Sequence, residues 1–227
     1  MLSHTDTSSF WPRSNLTHMP DDVSRETPPP FAAGVFASRL PVMEQYADLL
    51  ATEGTTRGLI GPRELPRLWS RHLLNSAAVL PRVPLEATVA DVGTGAGLPG
   101  LVWAIARPDL RVTLIEPLLR RTTFLDEVVD ELSLENVQVL RSRAEDVEEQ
   151  FDVVTARAVA QLEKLARWCM PLVKRPGGVL LALKGRSAED EVASSKPTLH
   201  RLGATSIVVE SYEAGTDEPT TVVEITT

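Results

Sequence analysis

Cysteine occurs once in this chain of 227 residues, at Cys169. A single thiol cannot close an internal disulfide, and no ligand-spaced partner stands near it, so no metal site is expected. Cys169 reads as a buried thiol. The chain has no apolar run of the ~18 residues that a membrane span requires. Its start lacks the basic-then-apolar layout of a secretory signal. A cytoplasmic protein without a membrane partner is expected. Positive charge is also short: the formal net charge is −8. That argues at first against a nucleic-acid partner.

The distribution of charge softens this exclusion. Residues 1–30 carry a net −2 and residues 185–227 a net −5, which leaves −1 for the middle of the chain. The basic residues of that middle are nearly all arginine and stand in groups: Arg63, Arg67, Arg71; Arg120, Arg121; Arg141, Arg143. Such a core is compatible with RNA without demanding it.

The length suits one sizeable α/β domain with an appended element. Residues 1–30 are rich in Ser, Thr, Pro and Asp and show no apolar period. A disordered tail is expected there, with Phe10 and Trp11 as its only anchors. Residues 31–84 predict a helical cap. Apolar residues recur at helical spacing from Phe36 to Leu50, with Pro41 marking a break or first turn, and a second amphipathic helix is expected over 64–80. A loop, GTTRGLIGP, separates the two. His72 reads as a packed or capped histidine as readily as a functional one.

From Thr88 the pattern alternates. Strands are expected at 88–92, 111–116, 137–140, 151–155 and 178–183, with helices at 98–106, 118–132, 161–173 and 187–195. Strands 204–212 and 220–226 then follow each other with only a loop between. Residues 85–227 therefore predict five parallel strands with right-handed crossovers, closed by a terminal antiparallel pair.

The chemistry concentrates at VADVGTGAGLPG, residues 89–100. An apolar strand ends beside Asp91; Gly93, Gly95 and Gly97 follow at alternate positions, and Leu98 to Gly100 open a helix. Without Cβ atoms such a turn lets the backbone pass close to a ligand. Beyond it, RVTLIE ends in Glu116, placed as the acid that holds ribose hydroxyls in nucleotide-binding units. Together these features point to an adenosine-containing cofactor. From Gly95 the sequence also fits the dinucleotide fingerprint G-x-G-x-x-G. In that fingerprint the first glycine sits where the strand ends, and here that residue is Gly93, with Leu98 where the third glycine belongs. The register favours S-adenosylmethionine over NAD. A turn that merely packs a helix onto the sheet would not need the spaced acid.

RHLLNS (71–76), DVGTGAGLPG (91–100), RRTTFL (120–125), LENVQVLRSRAED (134–146), FDVVTARAVA (151–160) and ALKG (182–185) come in that order. The set resembles the bacterial 16S ribosomal RNA guanine-N7 methyltransferases of the RsmG (GidB) family, over about residues 40 to 195. The tail is longer than the family needs, and TEGTTRGLIGPRE replaces its Lys-Trp-Asn-x-x-x-Asn-Leu-Thr stretch, so no role for that loop is carried over. The resemblance implies the class I S-adenosylmethionine-dependent methyltransferase fold: Rossmann-like, with a mostly parallel seven-stranded sheet, a terminal hairpin and an N-terminal helical cap. It implies 16S ribosomal RNA or the 30S subunit as partner, and the chain is expected to act as a monomer.

The turn and the spaced acid assign Asp91, Gly95, Gly97 and Glu116 to the cofactor; by the family match Gly93 and Leu98 lie in its turn, Ala144 and Glu145 flank its adenine, and Arg157 reaches the same site. Arg143 and Lys184 are assigned with Arg157 to the catalytic side, pointing at the RNA backbone, since arginine binds phosphate bidentately. Guanine N7 carries an in-plane lone pair, so the implied reaction is in-line methyl transfer without a general base. TARAVA stands after the fourth strand where amino-group methyltransferases carry Asn/Asp-Pro-Pro-aromatic. Two other readings stay open: a small-molecule methyltransferase, which the acidic charge favours, and an NAD-dependent oxidoreductase.

Overall fold

The computed structural model describes residues 25–216 and 219–227; Phe10 and Trp11 of the expected tail lie outside them. Seven strands form one sheet: β1 Thr88–Val92, β2 Arg111–Ile115, β3 Val137–Leu140, β4 Val153–Arg157, β5 Val179–Lys184, β6 Ser206–Tyr212 and β7 Thr220–Thr226. Their spatial order is β3-β2-β1-β4-β5-β7-β6. Strands β1 to β5 pair in parallel; β7 pairs antiparallel with both β5 and β6. The sheet is the expected one, with its terminal antiparallel pair. Strand order reverses between β1 and β4, where open α/β sheets bind ligands at the carboxyl edge.

Alternation along each strand divides the core in two, because successive side chains point to opposite faces. Val89, Val153 and Leu181 join the cluster built with the cap. Their neighbours Ala90, Val154 and Leu180 join the other. On the first face lie α1 Ala32–Phe36, α2 Leu40–Leu49, α3 Asn75–Ala77, α4 Gly100–Ala106 and α5 Leu119–Glu131. On the second lie α6 Leu162–Cys169 and α7 Ala188–Arg201.

The cap departs from the two expected helices. The first breaks into α1, a 3₁₀ turn at Ala37–Arg39 and α2, with Pro41 in the first turn of α2, where its missing N–H costs nothing. The second is a 3₁₀ stretch at Pro62–Arg67, a π-helical stretch at Leu68–Leu74 and the single turn α3. Pro66 inside the 3₁₀ stretch cannot donate an α-helical bond, which accounts for the tighter start. Helix α7 runs six residues beyond its expected end at Ser195, through Pro197, because Thr198 and Leu199 are buried against the sheet.

Buried polar bonds fasten cap to sheet. Tyr46 Oη donates to the Ala96 carbonyl at 2.8 Å, and Trp103 Nε1 to the Ser76 carbonyl at 2.8 Å. Glu26, inside the stretch expected to be a tail, is also engaged. One of its carboxylate oxygens accepts from Trp69 N–H (2.8 Å), Ser70 N–H (3.0 Å) and Ser70 Oγ (3.1 Å). It thus satisfies free donors at the start of the Leu68–Leu74 stretch.

Candidate active site

A cleft of about 600 Å³ opens at the carboxyl edge of β1, β2 and β4. Apolar walls come from Ile115, Pro117, Leu118, Ala144, Val159 and Trp168, and charge from Glu116, Arg121, Arg143, Glu145 and Arg157.

Its floor is the turn after β1. Gly93 lines the cleft with φ +67°. A Cβ there would come within 3.0 Å of Val159 Cγ2. The glycine requirement read from the sequence is therefore steric as well as conformational. Gly97, at φ +99°, faces away: a Cβ there would collide with Leu101 Cδ1 and come within 2.9 Å of Tyr46 Oη. Gly95 and Leu98 also stand outside the cleft lining.

Asp91 braces this turn from behind. It is fully buried and does not line the cleft. Its Oδ2 accepts from Thr94 Oγ1 at 2.6 Å and from Gly100 N–H at 2.8 Å. Burial raises its pKa to about 6, against the pull of those two hydrogen bonds. The structure thus separates Gly93, which faces the cleft, from Asp91, Gly95, Gly97 and Leu98, which shape the turn.

Glu116 sits just past the end of β2, 1% exposed. Its carboxylate accepts from Gly95 N–H (3.2 Å), Arg121 (3.1 Å) and Leu118 N–H (3.1 Å). It ties the turn to the start of α5 and presents an oriented carboxylate at the cleft. Ala144 and Glu145 form the wall opposite, on the turn after β3, as the sequence placed them. Trp168 of α6 closes that end with Lys164 Nζ 5.0 Å from its ring centre. Nothing in the sequence singled out Trp168 beyond the apolar period of its helix.

Arg157 is the last residue of β4 rather than the start of the loop, because the strand runs two residues past its expected end at Thr155. Its guanidinium donates to His72 Nδ1 at 2.9 Å. His72 must therefore carry its proton on Nε2, which donates to Glu64 at 3.0 Å. Burial first, and then the Arg157 charge, lower the His72 pKa to about 4. Neutral His72 is thus a polar link between the cap and the cleft.

Two catalytic-side residues part company. Arg143 is exposed at the cleft rim, and Arg71 and Arg120 are exposed as well. Lys184 does not face out. Its side chain is 9% exposed; Nζ donates to the Ala160 carbonyl at 2.8 Å and pairs with Glu191 at 2.7 Å. The expectation that it meets an RNA phosphate is corrected by this burial.

An adenosine-sized ligand fits the donor set: a close-approach glycine, an oriented carboxylate, and an apolar slot beside Ala144 and Trp168. Among the described residues no three His, Cys, Asp or Glu side chains gather to hold a metal. The single thiol, Cys169, is buried in α6, and burial pushes its pKa up.

The profile of the rRNA small subunit methyltransferase G family, GidB, matches residues 39–219. The chain belongs to this family. A ribosomal RNA small subunit methyltransferase G from Nocardioides sp. (strain JS614) is 60% identical over 201 residues, covering 86% of this chain and 80% of that one. Its counterpart from Salinispora tropica is 56% identical over 220 residues, covering 91% and 90%. Among solved structures, a putative S-adenosyl-L-methionine-dependent methyltransferase from Methanococcus maripaludis superposes with TM-score 0.56 at 12% identity, over 80% of this chain and 92% of that chain. The fold is that of class I methyltransferases, and the cofactor of this GidB-family chain is S-adenosylmethionine.

Proposed function

We propose that this GidB-family enzyme methylates N7 of a guanine in 16S ribosomal RNA, by in-line transfer and without a general base. Ribosomal RNA methylation is the coarser activity that goes with the family. One observation carries the finer reading. The cleft wall at the end of β4 is Arg157, Ala158 and Val159, which offers a guanidinium and apolar groups but no proton acceptor. An amino or hydroxyl acceptor must lose a proton as it is methylated; guanine N7 need not.

When bound, S-adenosylmethionine supplies an electrophilic sulfonium methyl, so an N–C bond forms as the C–S bond breaks and no proton leaves N7. The residues contribute placement. Glu116 is positioned to accept from ribose hydroxyls while Arg121 and two backbone donors hold its carboxylate. Gly93 lets the cofactor lie against the turn. Arg157, held by His72, fixes the β4 wall. Such alignment can supply roughly 7–11 kcal/mol of a barrier. Exposure of Arg143 at the open rim supports its contact with the RNA backbone.

The test is transfer of labelled methyl from S-adenosylmethionine to 16S RNA, naked and in 30S particles, followed by mapping of the base. Label at guanine N7 is expected. Label on an exocyclic amine or a ribose would overturn this reading. Transfer only to small molecules would favour the alternative substrate class.

A further inference from the structure

The chain changes direction abruptly after β4. Ala158 adopts φ +55°, a conformation L-residues with a Cβ disfavour. Val159 follows, 38% exposed, with its methyls against Gly93. Helix α6 begins three residues later, at Leu162. A short segment that leaves a strand in an unfavourable conformation and touches the cofactor turn must be held from outside.

The holding groups come from elements that do not line the cleft. Lys184 ends β5, and Glu191 lies in the first turn of α7. Lys184 Nζ donates to the Ala160 carbonyl at 2.8 Å. Glu191 Oε2 accepts from Leu162 N–H at 2.7 Å and pairs with Lys184 at 2.7 Å. Its other oxygen accepts from Ser187 Oγ at 2.9 Å. One ion pair thus grips a carbonyl and an amide two residues apart, just after Val159. Its lysine is nearly enclosed. A buried cation matched in this way is spent on structure and unavailable to a phosphate.

We propose that Lys184 and Glu191 are positioning residues: their ion pair clamps the Ala158–Leu162 segment so that Val159 stays fixed as the acceptor-side wall of the cleft. The assignment of that wall to the acceptor rests on the function proposed above; the clamp itself does not.

Three measurements on the full chain test it, with Lys184→Met and Glu191→Gln. In the free enzyme, hydrogen exchange across 158–165 should quicken by about tenfold or more in both variants, while β4 stays protected. Affinity for S-adenosylhomocysteine should stay within about threefold, while single-turnover transfer to 30S particles falls by about tenfold or more. RNA affinity should keep its salt dependence. If Lys184 instead meets phosphate, Lys184→Met weakens RNA binding and flattens the log–log salt slope by about one, whereas Glu191→Gln frees the lysine and strengthens binding. That pair of results, or unchanged exchange, overturns the clamp. Should Lys184→Met fail to fold, Glu191→Gln decides alone, since its amide oxygen can still accept from Leu162. If the unaltered enzyme labels no ribosomal RNA, the proposed function fails, and the exchange result still decides the clamp.

Discussion

Replacing His72 by Asn should make the stability of this enzyme depend differently on pH, because the folded chain lowers the pKa of the ring. In the folded chain His72 accepts from Arg157 through Nδ1 and has its pKa lowered from 6.5 to about 4. Protonation would set an imidazolium against the guanidinium. Above pH 6.5 the ring is neutral both folded and unfolded, and the native state keeps its full advantage. As pH falls toward 4 the unfolded chain binds a proton that the folded chain refuses. The total loss is roughly 3 kcal/mol, at about 1.4 kcal/mol for each unit of difference, and about 2 kcal/mol of it is expressed between pH 7 and pH 5.

Asp91 works the other way. Its folded pKa of about 6 lies above the ordinary 3.8. Its charge therefore destabilises the native state at neutral pH, and acid relieves this by about 1 kcal/mol over the same interval. The unaltered protein should consequently look nearly flat from pH 7 to pH 5. The variant separates the two effects. An Asn carbonyl can replace Nδ1 as acceptor for Arg157 but does not titrate. Urea unfolding at pH 7, 6 and 5 should show the variant less stable at pH 7, with the gap to the parent narrowing by about 2 kcal/mol at pH 5. Stopping at pH 5 keeps above the range in which Glu64 titrates, since its pKa is lowered from 4.5: burial opposes the shift, but the His72 hydrogen bond and the Arg71 charge outweigh it. A gap that stays constant with pH would refute a His72 whose pKa is lowered by burial and by the Arg157 charge.

Gly93→Val should leave a folded chain with S-adenosylhomocysteine affinity reduced by about tenfold or more, read by calorimetry; the β-branched residue meets Val159 and resists φ +67°. A chain starting at residue 31 should lose about 1–2 kcal/mol, and Glu26→Ala should reproduce most of that loss in thermal melts, because three donors at Trp69 and Ser70 lose their acceptor. Arg143→Ala should spare cofactor affinity and flatten the salt dependence of RNA binding by about one log–log unit, whereas Arg157→Ala should impair cofactor binding; an exchange of these outcomes would reverse the two sides of the cleft.

What the sequence showed was whatever lies close together along the chain. The strand-turn-helix at 88–106 needs only local pattern, and so does the hairpin of β6 and β7. The parallel sheet follows from alternation and handedness. The Gly93 turn, Glu116 and the Ala144–Glu145 wall were legible because a strand end fixes which residues reach the carboxyl edge. Illegible were the bonds made across elements. His72 and Arg157 are 85 positions apart; no spacing rule brings a cap histidine to the end of β4. Lys184 was misread for the same reason. At a strand end beside glycine it looks like a free cation, and only the packing of α7 against that edge supplies Glu191. Asp91 resembled a ligand because it stands in the motif, yet its contacts show the motif acid bracing the turn from behind.

The net charge of −8 and an RNA partner are reconciled by where the charges are used. At ordinary ionic strength, charges more than about 8–10 Å apart scarcely feel each other, so a distant acidic surface does little to repel RNA from the cleft. What matters is the balance at the rim. Of the two carboxylates that line the cleft, Glu116 is engaged by Arg121 and two backbone amides and Glu145 is exposed beside Arg143; farther out, Glu64 is engaged by His72, Arg67 and Arg71, and Glu191 by Lys184. Arg143 stands exposed at the same rim. Sequence pI averages these environments and so points away from RNA, while the local arrangement points toward it. The largely enclosed Lys184–Glu191 pair sharpens the contrast: it counts as one cation and one anion in any composition, yet the two charges are spent on each other and on the backbone at Ala160 and Leu162.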